Sequence, residues 1–197
     1  MKSNILKILI LSFVLFALSG CGKGADDYAE TTITVEKKGK VSETIVERFD
    51  KDYYNIDELK EEFVNSVKNY NESIGSEEIK LGDIELKDSQ VFVDIDFTGP
   101  SDYESFTGES LFVGTIHDAY DNGYTMDVIL KGVDKGDRIE KAQIMGMSDR
   151  TIVILSEHAR IKTFADIDYV SANVDVIKDR QARVSNESYG LAYLILK

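Results

Sequence analysis

Thr151-Ile152-Val153-Ile154-Leu155 is apolar at every position after the first. An extended chain sends successive side chains to opposite faces, so this run leaves neither face for water. A strand of that kind belongs in the interior of a sheet that is covered on both sides. Leu191-Ala192-Tyr193-Leu194-Ile195-Leu196 repeats the pattern. Two doubly buried strands place the centre of the fold in the last quarter of the chain, and the rest of the sequence must supply what covers them.

Other runs are apolar on one parity only. Val91, Val93, Ile95 and Phe97 alternate with Phe92, Asp94 and Asp96, the signature of a half-buried strand. Ile79 to Leu86 pairs with it across Lys87-Asp88-Ser89-Gln90, and its apolar phase slips between Leu81 and Ile84 beside Gly82, which predicts a bulge. Thr31 to Val35 and Val41 to Phe49 are β-branched runs joined by Lys37-Lys38-Gly39-Lys40, a second hairpin. Between the hairpins the period changes. Ile56, Leu59, Phe63, Val67, Tyr70 and Ile74 recur three or four apart and line one face of a helix. Asn55 is its expected N-cap, with Glu58 three residues on, and Gly75 its stop.

Further along, Pro100 after Gly99 marks a turn, Ser101 with Glu104 suggests a capping box, and Thr115 with Asp118 suggests another that ends at Asn122-Gly123. Met126 to Leu130, Ile139 to Met145, Thr151 to Leu155, Ile167 to Val176 and Tyr189 to Leu196 read as strands. The expected fold is α+β: a largely antiparallel twisted sheet, one main amphipathic helix over about 56–74 packed across it, and one or two short helices. No repeat at a fixed period is visible, which argues against a solenoid or propeller.

The N-terminus carries an address. Lys2 and Lys7 flank an apolar run from Ile8 to Leu18, too short for the roughly 20 residues of a spanning helix, and so read as a secretory signal. Leu18-Ser19-Gly20-Cys21 follows and holds the single cysteine. In these four residues the chain resembles the bacterial lipoprotein precursors, whose lipobox is Leu, a small residue, Gly or Ala, then Cys. The resemblance implies cleavage before Cys21, a diacylglycerol thioether on its sulfur, fatty acyl chains such as palmitate, and residence at the extracytoplasmic face of the cell membrane. The remaining sequence resembles small lipoproteins of Gram-positive anaerobes only in general texture. The expected organisation is a signal peptide (1–20), a lipidated Cys21 with a flexible tether (21–30) and one α+β domain (31–197). Glycine-containing residues 22–27 suit a leash, and ten extended residues reach about 35 Å at most.

Charge and cysteine content narrow the function. Loss of Lys2 and Lys7 with the signal turns 23 basic residues into 21 against 36 acidic ones, a formal balance of −15. Such a domain is repelled by nucleic acid and by anionic lipid, so the membrane partner is expected through lipid on Cys21 and not through charge. With Cys21 consumed, no disulfide, thiolate metal cage or cysteine nucleophile remains. Apolar content of 43%, with ten Tyr and nine Phe, must then carry stability through the core alone.

Motifs for chemistry are incomplete. Asp118 to Gly123 opens like a calcium loop, but Tyr120 stands at a ligand position and Ile129 where a bidentate Glu belongs. Gly146-Met147-Ser148-Asp149-Arg150 begins like a nucleophile elbow with Arg150 in place of glycine. His117 and His158 are far apart and lack a second histidine at helical spacing. Gly132, Gly136 and Gly146 miss the phosphate-loop spacing. Neither a metal nor a cofactor is therefore expected. Asn71-Glu72-Ser73 and Asn186-Glu187-Ser188 fit a glycosylation sequon without implying sugar in a bacterium. Tyr103, Phe106, Tyr120 and Tyr124 fall in the irregular middle of the chain and form the candidate binding surface. The leading expectation is a non-catalytic binding or interaction module of the cell envelope, with an envelope protein or polysaccharide as partner. The alternatives are a carboxylate-dependent envelope hydrolase using Asp94, Asp96, Asp102 or Asp118, and a solute-binding lipoprotein.

Overall fold

The computed structural model describes residues 30–185 and 190–197. In chain order they form β1 (Thr32–Val35), β2 (Val41–Arg48), α1 (Ile56–Ile74), β3 (Ile79–Lys87), β4 (Gln90–Phe97), α2 (Pro100–Thr107), β5 (Leu111–Thr115), α3 (Ile116–Asp121), β6 (Leu130–Gly132), β7 (Arg138–Ile139), α4 (Lys141–Met145), β8 (Thr151–Leu155), β9 (Arg160–Lys162), β10 (Ile167–Ser171), β11 (Val174–Lys178), β12 (Gln181–Val184) and β13 (Ala192–Leu196). The strands make two sheets, β11-β12-β9-β1-β2-β4-β3 and β5-β8-β13-β10-β6-β7. Every pairing is antiparallel except β1 with β9. The fold is α+β, with three short helices beside α1.

β8 and β13 are neighbours inside the six-stranded sheet, with Val153 opposite Leu194 and Ile154 opposite Tyr193. Their two parities enter two different cores. Val153, Leu155, Ala192, Leu194 and Leu196 join an apolar cluster shared with β1, β2 and β4 of the other sheet. Ile152, Ile154, Tyr193 and Ile195 join a second cluster with Ile116 and Ala119 of α3 and Ile144 of α4. This division is why both strands are apolar throughout. Full burial of each large aliphatic side chain is worth about 1.5–3 kcal/mol, and neither face is expendable.

α1 begins and ends where its sequence directs. The Asn55 side-chain oxygen accepts from the backbone N–H of Asp57 and Glu58, and Gly75 takes the left-handed conformation (φ 75°) that closes the helix. Val67 is buried, and Ile56, Leu59, Phe63 and Tyr70 pack against the first core. Ile74, on the same sequence stripe, is 45% exposed at the helix end. Asn71 fastens α1 to β3: its amide donates to the Ile79 carbonyl (2.8 Å), and its oxygen accepts from the N–H of Glu78 and Ile79 (3.1 Å each). The bulge in β3 lies between Leu81 and Ile84. A Cβ at Gly82 would stand 3.0 Å from that of Asp94, so glycine permits the close approach of the two strands.

Several expectations need correction. Met126 to Leu130 is not a strand; only Leu130 enters one, β6. Ile139 to Met145 divides into the two-residue β7 and helix α4, because the Gln143 side chain returns to accept from the N–H of Glu140 (2.9 Å) and turns the chain into a helix. Ile167 to Val176 is two strands in different sheets, broken after Ser171, whose hydroxyl bonds the Asn173 side chain (2.6 Å). The box expected at Ser101 is replaced by Gly99 as N-cap with Pro100 at the first helical position. Glu104 instead accepts from the N–H of Leu111 (3.0 Å). The capping box of Thr115 and Asp118 forms as expected. β5, β9 and β12 were not anticipated. Each is short, and its buried positions are apolar: Leu111 in β5, Ile161 in β9, Ala182 and Val184 in β12.

Candidate functional site

Strand β2 turns Val41, Glu43, Ile45 and Glu47 towards the space between the sheets, the reverse of the polar-out pattern expected of a glutamate. Glu43 is 3% exposed and lies in register with Glu43's neighbours Ile33 on β1 and Ile95 on β4, both fully buried. The opposite wall comes from the six-stranded sheet. β8 ends at Leu155 and delivers Ser156 and Glu157, while the approach to β5 delivers Glu109 and Ser110. The Ser110 N–H donates to the Ser156 hydroxyl (2.8 Å), which donates to Glu109 (2.7 Å).

Glu43 and Glu157 meet across this seam, carboxyl to carboxyl, in a hydrogen bond. Tyr103 of α2, fully buried and edge-on to Phe97 (centroids 5.3 Å apart, planes at 76°), donates its hydroxyl to Glu157 Oε2. Glu43 Oε2 is buried and accepts no hydrogen bond. Burial pushes the Glu43 carboxyl well above the ordinary range, and the negative neighbours Glu157 and Glu109 push it further. Burial also pushes Glu157 up to about 7, against the opposing hydrogen bond from Glu43 and with Glu47 adding to the rise. Burial likewise raises Glu47. The pair therefore keeps protons into the neutral range, with Glu157 bonded to Glu43 and accepting from the Tyr103 hydroxyl.

Two carboxyl groups in direct contact hold one proton between them. They lack the separation of about 5–9.5 Å at which a pair of acids flanks a glycosidic bond. The aspartates considered for hydrolysis are each occupied elsewhere. Asp94 accepts from Thr44 (2.7 Å) and Asp96 pairs with Lys40 (2.9 Å), both on the outer face of β4. Asp102 accepts from the Tyr70 hydroxyl (3.1 Å), and Asp118 caps α3. The structure does not bring these four together with the buried pair.

Nor do the four aromatic candidates share one face. Tyr103 lies in the first core, with Phe106 packed against it. Tyr124 stacks on Phe112 against the second core, and Tyr120 is 48% exposed. Tyr103 is thus corrected from a surface contact to an internal hydrogen-bond donor. His117 pairs with Asp121 on an exposed helix face (3.5 Å), and His158 Nδ1 lies 2.6 Å from the Ser185 carbonyl, turned away from Glu157. Arg150 bonds Asp168 (2.6 Å) and the Leu196 carbonyl (2.9 Å), pinning the loop before β8. Cys21 lies outside the described residues, as does the sequon at Asn186. Among the described residues, no group of three or more His, Cys, Asp or Glu could hold a metal ion.

Two concavities mark the surface. One, of about 540 Å³, runs between α1 and β3, with Val64, Val67 and Leu81 on its floor and Lys68, Glu72 and Glu77 on its rim. The other, of about 250 Å³, surrounds the bulge at Gly82 and is lined by Ser42, Thr44, Asp94 and Asp96.

The buried pair was missed in the sequence, although Glu43 carried a signal: a charged residue in phase with Val41 and Ile45. Nothing about Glu157 distinguished it. Protein-family models, curated proteins and solved structures provide no match to this chain. No helix among the described residues is long and apolar enough to cross a membrane.

Proposed function

We propose that the chain is a lipid-anchored, extracytoplasmic interaction module of a bacterial cell envelope, tethered through Cys21 and receiving a protein segment in the groove between α1 and β3. The lipobox resemblance supports the anchor, and the acidic balance supports an anchor independent of charge. The observation that carries the contact surface is Val64, 53% exposed on the groove floor beside Val67 and Leu81. An apolar floor under a charged rim is the anatomy of a protein contact: the floor excludes water while the rim sets orientation. Aliphatic side chains gain more from such a floor than sugar hydroxyls do, which favours a protein over a polysaccharide.

The test is affinity capture from detergent-solubilised membranes with the wild type and Val64→Asp as paired baits. The expected result is one envelope protein retained by the wild type and recovered at least tenfold less by V64D. Capture of glycan alone, equal recovery by both baits, or no specific component would contradict the groove assignment.

A further inference from the structure

We propose that Glu43, Glu157 and Tyr103 form a proton-dependent latch that holds the two sheets together and loosens as the surroundings become alkaline. The geometry requires the proton. Glu43 is 3% exposed, its Oε2 accepts no hydrogen bond, and the side chain it meets is another carboxyl group. A fully ionised carboxylate in that position would be buried and set against a second negative charge, whereas the neutral acid can donate a hydrogen bond to its neighbour.

The groups that face this proton come from four elements. β2 contributes Glu43 and Glu47, the end of β8 contributes Ser156 and Glu157, the approach to β5 contributes Glu109, and α2 contributes the Tyr103 hydroxyl. The groups that act electrostatically on the pair are all acidic. Arg160 and Arg183, on β9 and β12 of the same sheet as β2, bind Glu30 at 2.6 and 2.8 Å. Loss of the proton thus leaves adjacent negative charges on opposite sheets with no counter-charge, directly beside Leu111, Leu155 and Ile95 of the shared core. The sign follows from linkage. The folded protein holds the protons of both carboxyls more tightly than the unfolded chain, so the stabilisation is complete below the ordinary glutamate range and is lost as pH rises, first as Glu157 ionises near about 7 and further as Glu43, also held well above that range, follows.

Hydrogen exchange by NMR, expressed as protection factors, tests the latch. Between pH 6 and pH 8.5 the backbone amides of Glu43, Thr44, Ser156 and Glu157 are expected to lose at least tenfold in protection, while β11 and β12 do not. Glu157→Gln, which keeps an oxygen to accept from Glu43 and Tyr103 but cannot ionise, is expected to abolish that difference. Unchanged protection in the wild type, or the same loss in E157Q, would overturn the proposal. Carboxyl ¹³C titration of the wild type gives a reading that does not depend on the variant folding. One glutamate titrating near neutrality supports the latch, and all glutamates titrating below pH 5.5 overturns it.

Discussion

At the scale of the residue, polar side chains on buried parities do the joining that apolar packing cannot. Asn71 satisfies three backbone groups at the turn from α1 into β3, its amide donating to one carbonyl and its oxygen accepting from two N–H groups. Asn71→Ala leaves those half-buried groups unpaired and is expected to cost about 1–3 kcal/mol in chemical denaturation. Asn71→Asp keeps the acceptor and should lose about half as much. Little of this was legible in the sequence, where Asn71 stood out only as part of a sequon. Glu43 is similar: the alternation of β2 could have shown that it faces inward, but its partner on another sheet is a matter of tertiary contact. Tyr103 shows the opposite failure. Its place in an irregular stretch suggested a surface, yet the helix that Pro100 initiates rotates it into the core.

At the scale of the element, legibility followed the strength of the period. α1, the two N-terminal hairpins and the bulge in β3 were all readable, because each rests on local alternation or local capping. Two failures came where two elements share an apolar run, and others where a run forms no strand or a strand is too short to show a period. Ile139 to Met145 and Ile167 to Val176 each looked continuous because hydrophobicity does not record a change of sheet or a capping turn. Doubly buried strands make a sharper prediction. Ile154→Ala, on the face of β8 towards α3 and α4, and Leu194→Ala, on the face of β13 towards the other sheet, are each expected to cost about 2–5 kcal/mol. Asp94→Ala, on the wet face of β4, should change stability by no more than about 0.5 kcal/mol. Parallel urea denaturation of the three variants checks this, and an inexpensive loss at either core site would contradict two-sided covering.

At the scale of the whole molecule, the described chain closes on itself from its first residue. Glu30, assigned by sequence to the tether, instead binds Arg160 and Arg183 on β9 and β12. Burial alone would raise its carboxyl, but the two guanidinium groups hold it below the usual range. Any leash therefore has to end before this ion pair, which brings a tethered domain closer to the bilayer than the sequence suggested. Under the proposed anchor, the acidic balance leaves lipid, not charge, to hold the domain at an anionic membrane. The most direct test of that anchor is mass spectrometry of the mature N-terminus from purified membranes. A first residue Cys21 carrying a diacylglyceryl group is the expected result, together with release of Cys21→Ala from the membrane fraction. A mature protein with an unmodified Cys21 sulfur, or a C21A variant that stays as firmly membrane-bound as the wild type, would contradict it.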